Sequence, residues 1–370
     1  MRIRPFSIFV LSLCTLTLYI SELYAQNPDI ADIEGRVINI ETGTPLADAH
    51  VFLSGTTIGT ISNTQGWFRF RNVPPGSHKL TISIIGFGRI SQDIIVQAGE
   101  SKSILVEAEP KVYEMNEIYV GNLDDRWERY LQRFYRLFIG ESQRADSVRI
   151  LNPEVLRFDS RWWGRFTAEA MAPLIIENNA LGYQITYYLD DFYHSGFITK
   201  WDGDPLFTEL TPRDSLQAAY WNKNRKEAFY GSLRHFLIAI QEKRIPDDGF
   251  IVHRLPRDIQ GISRQNRFRT NTDRLLREAD EEPLNRFNFS GRLEIIYTRQ
   301  EEDPRYVQWA RDLRRGPARS QTSFLELNER PITIDPDGEI IETYGATRFG
   351  YFSFHRLADK TPREYRPDNW

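Results

Sequence analysis

The sequence predicts a mostly β protein, in which a seven-stranded β-sandwich is followed by an α+β region of antiparallel sheets and helices. Seven short runs of strand-forming residues, separated by turn residues, fill roughly 80 positions after residue 32, which is the spacing of a sandwich. Beyond residue 123, an amphipathic helix, two further helices and a series of strand patterns follow. Together these patterns favour two regions of different architecture.

The first 25 residues have the pattern of a secretory signal. Arg2 and Arg4 precede the apolar stretch Phe6–Ile20, and Leu23-Tyr24-Ala25 ends in a small residue suited to cleavage. The apolar stretch is shorter than the about 20 residues that span a membrane, and no later stretch of that length is free of charge. We therefore expect an exported protein, periplasmic or associated with the outer membrane, with no transmembrane segment in the mature chain.

The single cysteine, Cys14, lies inside this apolar stretch. Lipidation of Cys14 needs a small residue where Leu13 stands, so cleavage after Ala25 is preferred. It leaves no cysteine for a disulfide, a thiolate metal site or a nucleophile. We expect neither a metal nor a cofactor. The net charge of −4 and the predicted export argue against nucleic-acid binding.

The predicted strands of the sandwich end at turn residues such as Asn63–Gly66. They are Ile33–Ile40, Ala47–Ser54, Thr57–Ser62, Trp67–Arg71, Lys79–Ile85, Ile90–Val96 and Ser103–Ala108. Alternation predicts that Val51 points to one face and Phe52 to the other, and that Phe68 and Phe70 oppose Trp67. The predicted boundaries are a signal at 1–25, a leader at 26–32, the sandwich at 33–110, a linker at 111–123 and an α+β domain at 124–370.

The sandwich resembles the carboxypeptidase D regulatory-like domain, which has a transthyretin-like fold and is abundant in Bacteroidetes. The residues that carry the resemblance are Gly35, Val37, Gly43, Pro45, Leu46, Ala49, Val51, Leu53, Gly55, Thr56, Gly59, Thr60, Gly66, Phe68, Pro75, Gly76, Gly86 and Phe87. The resemblance implies a non-catalytic accessory or interaction role. Residues 62–66 lack the aspartate that is usual in this turn of the family, which argues against a cation there.

The same domain precedes many TonB-dependent receptors, and Met115–Val120 is similar to the strand that follows it there. Only about 250 residues remain after it, too few for a 22-stranded barrel of about 10 residues per strand. The sequence therefore excludes such a receptor and leaves an accessory protein of a transport system open.

The second region begins with a predicted helix, Asp124–Ile139, which Asp124 caps and Gly140 ends. The predicted strands are Val155–Ser160, Trp163–Met171, Leu174–Glu177, Leu181–Leu189, Phe192–Trp201, Phe250–Arg254, Gly291–Thr298, Ser323–Leu327, Ile332–Ile334, Glu339–Tyr344 and Tyr351–His355. The remaining predicted elements are a hairpin turn near Asp190-Asp191, helices at Asp214–Arg225 and Ser232–Lys243, a long loop with a helical piece at Arg254–Glu282, and a hairpin turn at Asp335–Gly338. Tyr230–Leu237 and Gly350–Tyr365 are similar to segments of Bacteroidetes proteins that pair this sandwich with an uncharacterised C-terminal region.

Several enzyme classes lack their motifs. A zinc carboxypeptidase typically needs Glu three residues after a His, whereas the residues there are Leu53, Thr81, Phe197, Ile238, Pro256 and Ala358. A nucleophile elbow of the G-x-S-x-G type and a phosphate loop are also absent from the sequence. The family name therefore does not transfer as an activity.

Two small clusters are candidate binding sites. Asp190, Asp191 and His194 could bind a metal or share a proton, or could be a polar hairpin tip. Arg234 and His235 could bind an anion or pair internally beside Ser232, which suits a helix N-cap. A run of arginines could meet phosphate, lipid or acidic glycan, or be solvated: Arg264, Arg267, Arg269, Arg274 and Arg277.

We therefore expect a non-catalytic binding or assembly role at the periplasmic side of the outer membrane, with an envelope protein or a glycan as partner. An envelope hydrolase that uses carboxylates of the second region, around Asp190 and Asp191, is the rival. A hydrolase predicts convergent carboxylates in a cleft, and a binding protein predicts an exposed aromatic patch or an unpaired sheet edge. The sequence predicts no oligomeric state.

Overall fold

The computed structural model describes residues 30–111, 125–160, 164–258, 261–262, 267–312 and 315–368. The predicted signal at 1–25, the segment Met115–Val120 and the predicted helix cap Asp124 lie outside the described residues. None of the helices in these ranges has the length and apolar character needed to cross a membrane.

Seven strands form the sandwich within residues 30–111. They are β1 (Ala31–Asn39), β2 (His50–Leu53), β3 (Gly59–Ile61), β4 (Trp67–Val73), β5 (Gly76–Ser83), β6 (Ile90–Val96) and β7 (Ser101–Ala108). One sheet has the order β4-β1-β7 and the other the order β3-β2-β5-β6. The sandwich prediction is confirmed, and each predicted strand is found with bounds that differ by three residues or fewer.

One strand pair of the sandwich is parallel. β1 runs antiparallel to β4, with Gly35 opposite Phe68, and parallel to β7, with Gly35 opposite Ile104. A Cβ atom at Gly35 would lie 2.4 Å from the Phe68 ring and 2.5 Å from the main-chain oxygen of Ile104. Glycine therefore lets both neighbours pack closely on the central strand.

The burial pattern of the sandwich follows the predicted alternation except in β2. Phe68 and Phe70 are buried and Trp67 is 45% exposed. Val51 is buried, but Phe52, predicted to face the opposite side, is only 1% exposed as well. The side of the sheet that carries Phe52 is therefore covered by another part of the protein.

The region after residue 124 contains helices and several sheets. The described helices are α1 (Asp125–Phe134), which a π-helical turn at Tyr135–Ile139 continues, α2 (Ser215–Phe229), α3 (Leu233–Gln241), α4 (Pro304–Trp309) and α5 (Tyr351–Phe354). The described strands are β8 (Val148–Ile150), β9 (Leu156–Ser160), β10 (Phe166–Ala170), β11 (Leu174–Asn178), β12 (Tyr183–Ser195), β13 (Ile198–Glu209), β14 (Phe250–Leu255), β15 (Arg257–Asp258), β16 (Gly261–Ile262), β17 (Phe268–Arg269), β18 (Leu276–Glu278), β19 (Asn285–Phe287), β20 (Arg292–Tyr297), β21 (Gln321–Leu327), β22 (Ile332–Ile334) and β23 (Ala346–Gly350).

A long hairpin, β12–β13, is the centre of the first large sheet. β12 also pairs with β10 and β11, and the aromatic face of α1 packs on this sheet through Phe134. The prediction of a turn near Asp190-Asp191 is wrong, because the hairpin turns at Gly196-Phe197. A bulge shifts the register between Leu189 and Asp191. Such a bulge interrupts the alternation of a strand without ending it.

A second sheet, with the order β17-β14-β20-β21-β23, packs with α3 around a separate hydrophobic core. Residues 351–355 were predicted as a strand, but α5 begins here because Gly350, with φ +64°, ends β23. Tyr351 and Phe354, three residues apart, both contact the ring of Tyr306. Helical spacing brings these two rings to one side of the chain.

Two further predictions for this region need correction. Residues 339–344 were predicted as a strand but form bends and turns, with one isolated bridge between Ile334 and Ile340. The predicted long loop at Arg254–Glu282 contains the short strands β15 to β18 and a 3-10 turn at Thr272–Arg274. Both errors come from short segments in which tertiary pairing outweighs local pattern.

The helix α2 starts at a side-chain cap, Asp214, which is the first residue of the predicted helix. Asp214 accepts a hydrogen bond from the main-chain N–H of Gln217 at 2.8 Å. Replacing Asp214 with alanine should lower the free energy of unfolding by about 1 kcal/mol, measured by urea denaturation. Asp214→Asn, which keeps an acceptor oxygen, is the matched control. Equal losses in both variants would contradict a capping role.

Candidate functional site

The sandwich, the β12–β13 hairpin and the segment 355–366 meet at one place, which we call the junction. Here the main-chain N–H of Gly55 donates to the carbonyl oxygen of Pro205 at 2.6 Å. The ring of Phe52 stacks on that of Tyr188 with centroids 5.5 Å apart. The hairpin therefore covers the side of the sandwich on which Phe52 is buried.

A buried carboxylate joins the sandwich to the hairpin. The side chain of Asp204 is fully buried, and its oxygens lie 2.8 Å from Nζ of Lys79 and 3.0 Å from Oγ of Ser91. Arg89 lies 3.7 Å from Asp204 and forms an ion pair with Asp190. A buried charge is tolerated when it is paired in this way. Asp190, a predicted site residue, therefore belongs to the contact between the two regions.

The segment 355–366 crosses the junction and contacts both sides. The main-chain N–H of Arg363 donates to the carbonyl oxygen of Gly55 at 2.9 Å. Its guanidinium donates to the carbonyl oxygen of Ser77 at 2.7 Å and forms an ion pair with Asp335. Burial raises the pKa of Asp335 to about 7, although the charge of Arg363 opposes this. One arginine thus links the sandwich to the second core.

The turn Asp335–Gly338, which the sequence predicts, packs against α3. The main-chain N–H of Glu339 donates to Oδ1 of Asp335 at 2.8 Å. Gly338 has φ +76°, and a Cβ atom there would lie 2.6 Å from the carbonyl oxygen of Arg234. Glycine is therefore needed for both the conformation and the contact. The turn holds Glu339 at the edge of the junction.

The predicted cluster Ser232, Arg234 and His235 is mainly engaged within the protein. Ser232 caps α3 by accepting from the N–H of His235 at 3.1 Å. The guanidinium of Arg234 donates to main-chain oxygens, among them that of Pro362 at 2.7 Å. Nδ1 of His235 accepts from the N–H of Gly231 at 2.9 Å. Burial, with nearby arginines, lowers the pKa of His235 to about 3, so its ring is neutral.

The junction borders a partly open cavity of about 550 Å³, which we call the junction cavity. Its wall comes from the residues after β2, the start of β5, the middle of β13, the start of α3 and residues between 338 and 363. At the sandwich end, Lys79 and Asp93 lie opposite each other across β5 and β6. Tyr187 and Trp201 contribute aromatic surface from the hairpin.

Three basic side chains form the opposite end of the cavity, which we call the basic end: Arg348, Arg356 and Lys360. Arg348 lies on β23 directly opposite the buried Leu325 of β21, so its side chain leaves the sheet on the core side. Arg356 and Lys360 flank the 3-10 turn at 357–359, whose buried residue Leu357 is anchored in the first core. The register of β23 and the buried Leu357 together place the three basic side chains at one end of the junction cavity.

The side chains of the basic end have few protein partners. Arg356 donates to the carbonyl oxygen of Leu137 at 2.5 Å and lies over the ring of Trp201. In the part of the chain that the structure describes, the side chains of Arg348 and Lys360 make no hydrogen bond or ion pair. A guanidinium has five N–H donors. All those of Arg348 and most of those of Arg356 are therefore available for other groups.

Glu339 is the carboxylate next to the basic end. Burial alone would raise its pKa, but nearby basic residues, Lys360 first among them and Arg348 included, outweigh burial and lower it. The carboxylate is therefore ionised. Its oxygens accept no hydrogen bond and form no ion pair among the described residues. Arg348, Lys360 and Glu339 are thus three charged groups that share one cavity without direct partners.

The predicted cluster Asp190, Asp191 and His194 does not converge on one point. Asp190 pairs with Arg89, while Asp191 accepts from the hydroxyl of Tyr344 at 3.3 Å. Nδ1 of His194 lies 2.9 Å from the hydroxyl oxygen of Thr199. Each side chain has a different neighbour. No group of three or more His, Cys, Asp or Glu side chains suited to a metal ion occurs in the described ranges.

The predicted arginine run is mostly solvated. Arg269, Arg274 and Arg277 are exposed, and Nε of Arg267 lies 3.2 Å from a carboxylate oxygen of Glu294. Arg264 lies outside the described residues. The three exposed arginines remain a rival position for an anion.

The outer face of the sheet β4-β1-β7 carries a short exposed row. Arg36 lies opposite Trp67 on one side and Leu105 on the other, and its guanidinium is 5.6 Å from the centre of the indole. Trp67 is 45% exposed and Leu105 58% exposed. The two apolar side chains are therefore separated by Arg36 on the central strand. Exposed apolar side chains on one sheet face can form a contact surface.

Ser232 and Arg234, two of the predicted site residues, line the cavity, whereas the sequence analysis missed the charged residues of its basic end and Glu339. Arg348, Arg356 and Glu339 carry no motif spacing, because the strand β23, the turn at 335–338 and the segment after α5 bring them together. A usable signal was the segment Gly350–Tyr365, which contains Arg356, Lys360 and Arg363. That segment was noted only for its similarity to other proteins.

Comparison with solved structures finds partial similarity. A 5-hydroxyisourate hydrolase from Klebsiella pneumoniae is 22% identical, with 21% of this chain and 86% of that chain covered and a TM-score of 0.18. A 3-chlorocatechol 1,2-dioxygenase from Rhodococcus opacus is 10% identical over 22% of this chain, with a TM-score of 0.20. The pilus 2b backbone protein of group B streptococcus is 15% identical over 23% of this chain, with a TM-score of 0.20. The chain spans 61% of the dioxygenase and 42% of the pilus protein.

No match to this chain was found among curated proteins. One protein-family model, described as a CarboxypepD_reg-like domain, matches residues 33–120. The matched range contains all seven strands of the sandwich except the first two residues of β1. The matched residues 33–120 are therefore a CarboxypepD_reg-like domain, whose described part, up to residue 111, forms a transthyretin-like β-sandwich that meets the region after residue 124 at the junction.

Proposed function

We propose that this protein is an exported, non-catalytic binding protein of the cell envelope whose ligand site is the junction cavity. Export is supported by the signal pattern of residues 1–25. The non-catalytic role is supported by the CarboxypepD_reg-like domain, whose resemblance implies an accessory function. The position on the periplasmic side of the outer membrane follows from both arguments together.

One observation carries the proposal. The side chains of Arg348, Lys360 and Glu339 line one partly open cavity and have no hydrogen-bond or ion-pair partner in the described ranges. Arg348 and Lys360 are exposed and Glu339 is half-buried, so a molecule that enters the cavity from solvent can reach all three. A ligand with complementary groups can pair with these charges. Ligand sites are concave, of about 300–1,000 Å³, with a few convergent polar groups.

The rival hydrolase receives no support from the predicted carboxylates. Asp190 and Asp191 have separate partners at the edge of the hairpin rather than a common cleft. The accessory-protein alternative differs only in naming the envelope partner. The exposed row with Trp67 and Leu105 is the surface that such a partner would cover.

Location is tested by fractionating intact cells that produce the tagged full chain. We expect the protein in the periplasmic or outer-membrane fraction. A chain that lacks residues 1–25 is the control, and it should stay in the cytoplasm. Recovery of the full chain from the cytoplasm would contradict the proposal.

Crosslinking in the same cells identifies the envelope partner, and recovery of no envelope component would remove the assembly role.

Ligand binding is tested with the low-molecular-mass fraction of an envelope extract. We expect this fraction to raise the melting temperature of the purified protein, because a ligand that binds only the folded state stabilises it. Lys360→Gln should lose the shift, whereas Lys223→Gln, which changes an exposed lysine on α2, should keep it. No shift with the wild-type protein, or equal shifts in both variants, would contradict a ligand site in the junction cavity.

A further inference from the structure

The basic end carries more positive charge than the protein balances. Arg348, Arg356 and Lys360 form no ion pair with the described residues, and Glu339 is the carboxylate that acts on Arg348. Burial, followed by the charge of Arg348, lowers the pKa of Arg356 to about 10, so the two guanidiniums lie close enough to repel each other. Cations that line one side of a cleft attract an anion.

The other acidic side chains at this part of the wall are already engaged. Glu342 accepts from the main-chain N–H of Thr333 with both oxygens, at 2.9 and 2.8 Å. Asp202 accepts from the N–H of the next residue at 2.8 Å. Asp359 lies 2.7 Å from Nε of Arg144. These carboxylates are held by their own hydrogen bonds or ion pairs, so the cations of the basic end remain available to an anionic ligand.

We infer that the basic end binds the carboxylate or phosphate group of a small polyhydroxylated ligand, an acidic sugar. This inference rests on the proposed function and names its ligand class. A guanidinium fork matches a planar carboxylate or a phosphate with two parallel hydrogen bonds. Arg348 offers such a fork, and Lys360 adds an ammonium without other partners.

Glu339 determines which chemical group the ligand carries beside its carboxylate or phosphate. Its ionised carboxylate needs a hydrogen-bond donor, which a hydroxyl or an ammonium could supply. Four basic residues already act on Glu339: Lys360, Arg363, Arg234 and Arg348. A further positive charge would be repelled there, so a neutral hydroxyl fits and an amino acid does not. The hydroxyl-bearing residues Ser77 and Thr361 border the same cavity and suit further hydroxyl groups.

The inference is tested by isothermal titration of the purified protein at constant ionic strength. The probes are D-glucuronate, D-glucose 6-phosphate, D-glucose and L-alanine. We expect glucuronate or glucose 6-phosphate to bind and glucose and alanine to bind at least about tenfold more weakly, since a charge-assisted pair contributes about this factor. The preferred anionic probe tells whether the oxyanion is a carboxylate or a phosphate.

Three variants locate the binding. Arg348→Gln and Lys360→Gln should each weaken binding of the anionic probe by about tenfold or more. Lys360→Gln remains decisive if Arg348→Gln fails to fold, because the ammonium of Lys360 makes no contact that folding would lose. Arg269→Gln is the matched control, because Arg269 is an exposed arginine of the rival run.

Four results would overturn the inference: no binding of either anion, equal binding of glucose, tighter binding of alanine, or undiminished binding by both cavity variants. If no anionic probe binds but the envelope extract still stabilises the wild-type protein and not Lys360→Gln, the ligand class is wrong while the binding function stands. If neither an anionic probe nor the envelope extract acts on the wild-type protein, both the ligand class and the proposed binding function are wrong. Loss of binding in Arg269→Gln alone would assign the anion to the exposed run.

Discussion

Replacing Arg363 with alanine should lower the free energy of unfolding by about 3–5 kcal/mol, because the buried carboxylate of Asp335 then loses its charge partner and must either stay charged alone or take up a proton. The side chain of Asp335 is 0% exposed and that of Arg363 10% exposed. The same substitution also removes the donor that binds the carbonyl oxygen of Ser77. Urea denaturation followed by tryptophan fluorescence measures the loss.

The control for this prediction removes both charges. The double variant Arg363→Met with Asp335→Asn keeps similar volumes, and the asparagine oxygen can still accept from the N–H of Glu339. Replacing a buried pair by uncharged groups is often close to neutral. The double variant should therefore be more stable than Arg363→Ala. A double variant that is less stable than the single one would show that the charges themselves stabilise the junction.

The protein should lose about 3 kcal/mol of stability between pH 6.5 and pH 4 through three buried groups. Burial lowers the pKa of His235 to about 3 and, with Arg363, that of His78 to about 4, so the unfolded chain binds two more protons in this range. Burial raises the pKa of Asp335 to about 7, so the folded chain binds one more. The net difference is one proton, or about 1.4 kcal/mol per pH unit.

The sign of each contribution is testable by substitution. His78→Gln keeps a donor for the carbonyl oxygen of Pro74, which His78 contacts through Nε2 at 2.7 Å, but does not titrate. Its stability should fall less steeply below pH 6.5 than that of the wild type. His50→Gln, at an exposed position on β2, should leave the pH dependence unchanged. Parallel curves for the wild type and His78→Gln would refute the buried neutral histidine.

The sandwich could be predicted from the sequence because its information is local. Alternation in short strands and turn residues such as Gly66 locate each strand and its inner face. The burial of Phe52 could not be predicted in this way. Its partner, Tyr188, lies in another region of the chain, and no local pattern records which surface a strand face meets.

The junction cavity could not be predicted for the same reason. Arg348 reaches the cavity because β23 pairs with β21. Arg356 reaches it because α5, where the sequence suggested a strand, comes just before it in the chain. The spacing of Tyr351, Phe352 and Phe354 fits both a strand and a helix. The contact of Tyr351 and Phe354 with the ring of Tyr306 is what distinguishes the helix from the strand. The sequence analysis left open whether Arg234 binds an anion or pairs internally. In the structure it donates to main-chain oxygens and to the hydroxyl of Thr361, partners that the sequence pattern does not indicate.

The contacts of segment 355–366 have a consequence for the order in which the protein forms. The main-chain N–H and the hydroxyl of Thr57 donate to one oxygen of Glu364, across 307 positions of the chain. Domains generally fold in turn, from the amino end, as the chain emerges. The sandwich is then complete while Phe52 still lacks its cover. Until the β12–β13 hairpin has been synthesised and has folded, the apolar surface around Phe52 is open to other molecules. The contacts of Thr57 with Glu364 form only after the last part of the chain has been made. The rate of synthesis therefore sets how long the first domain stays incompletely covered.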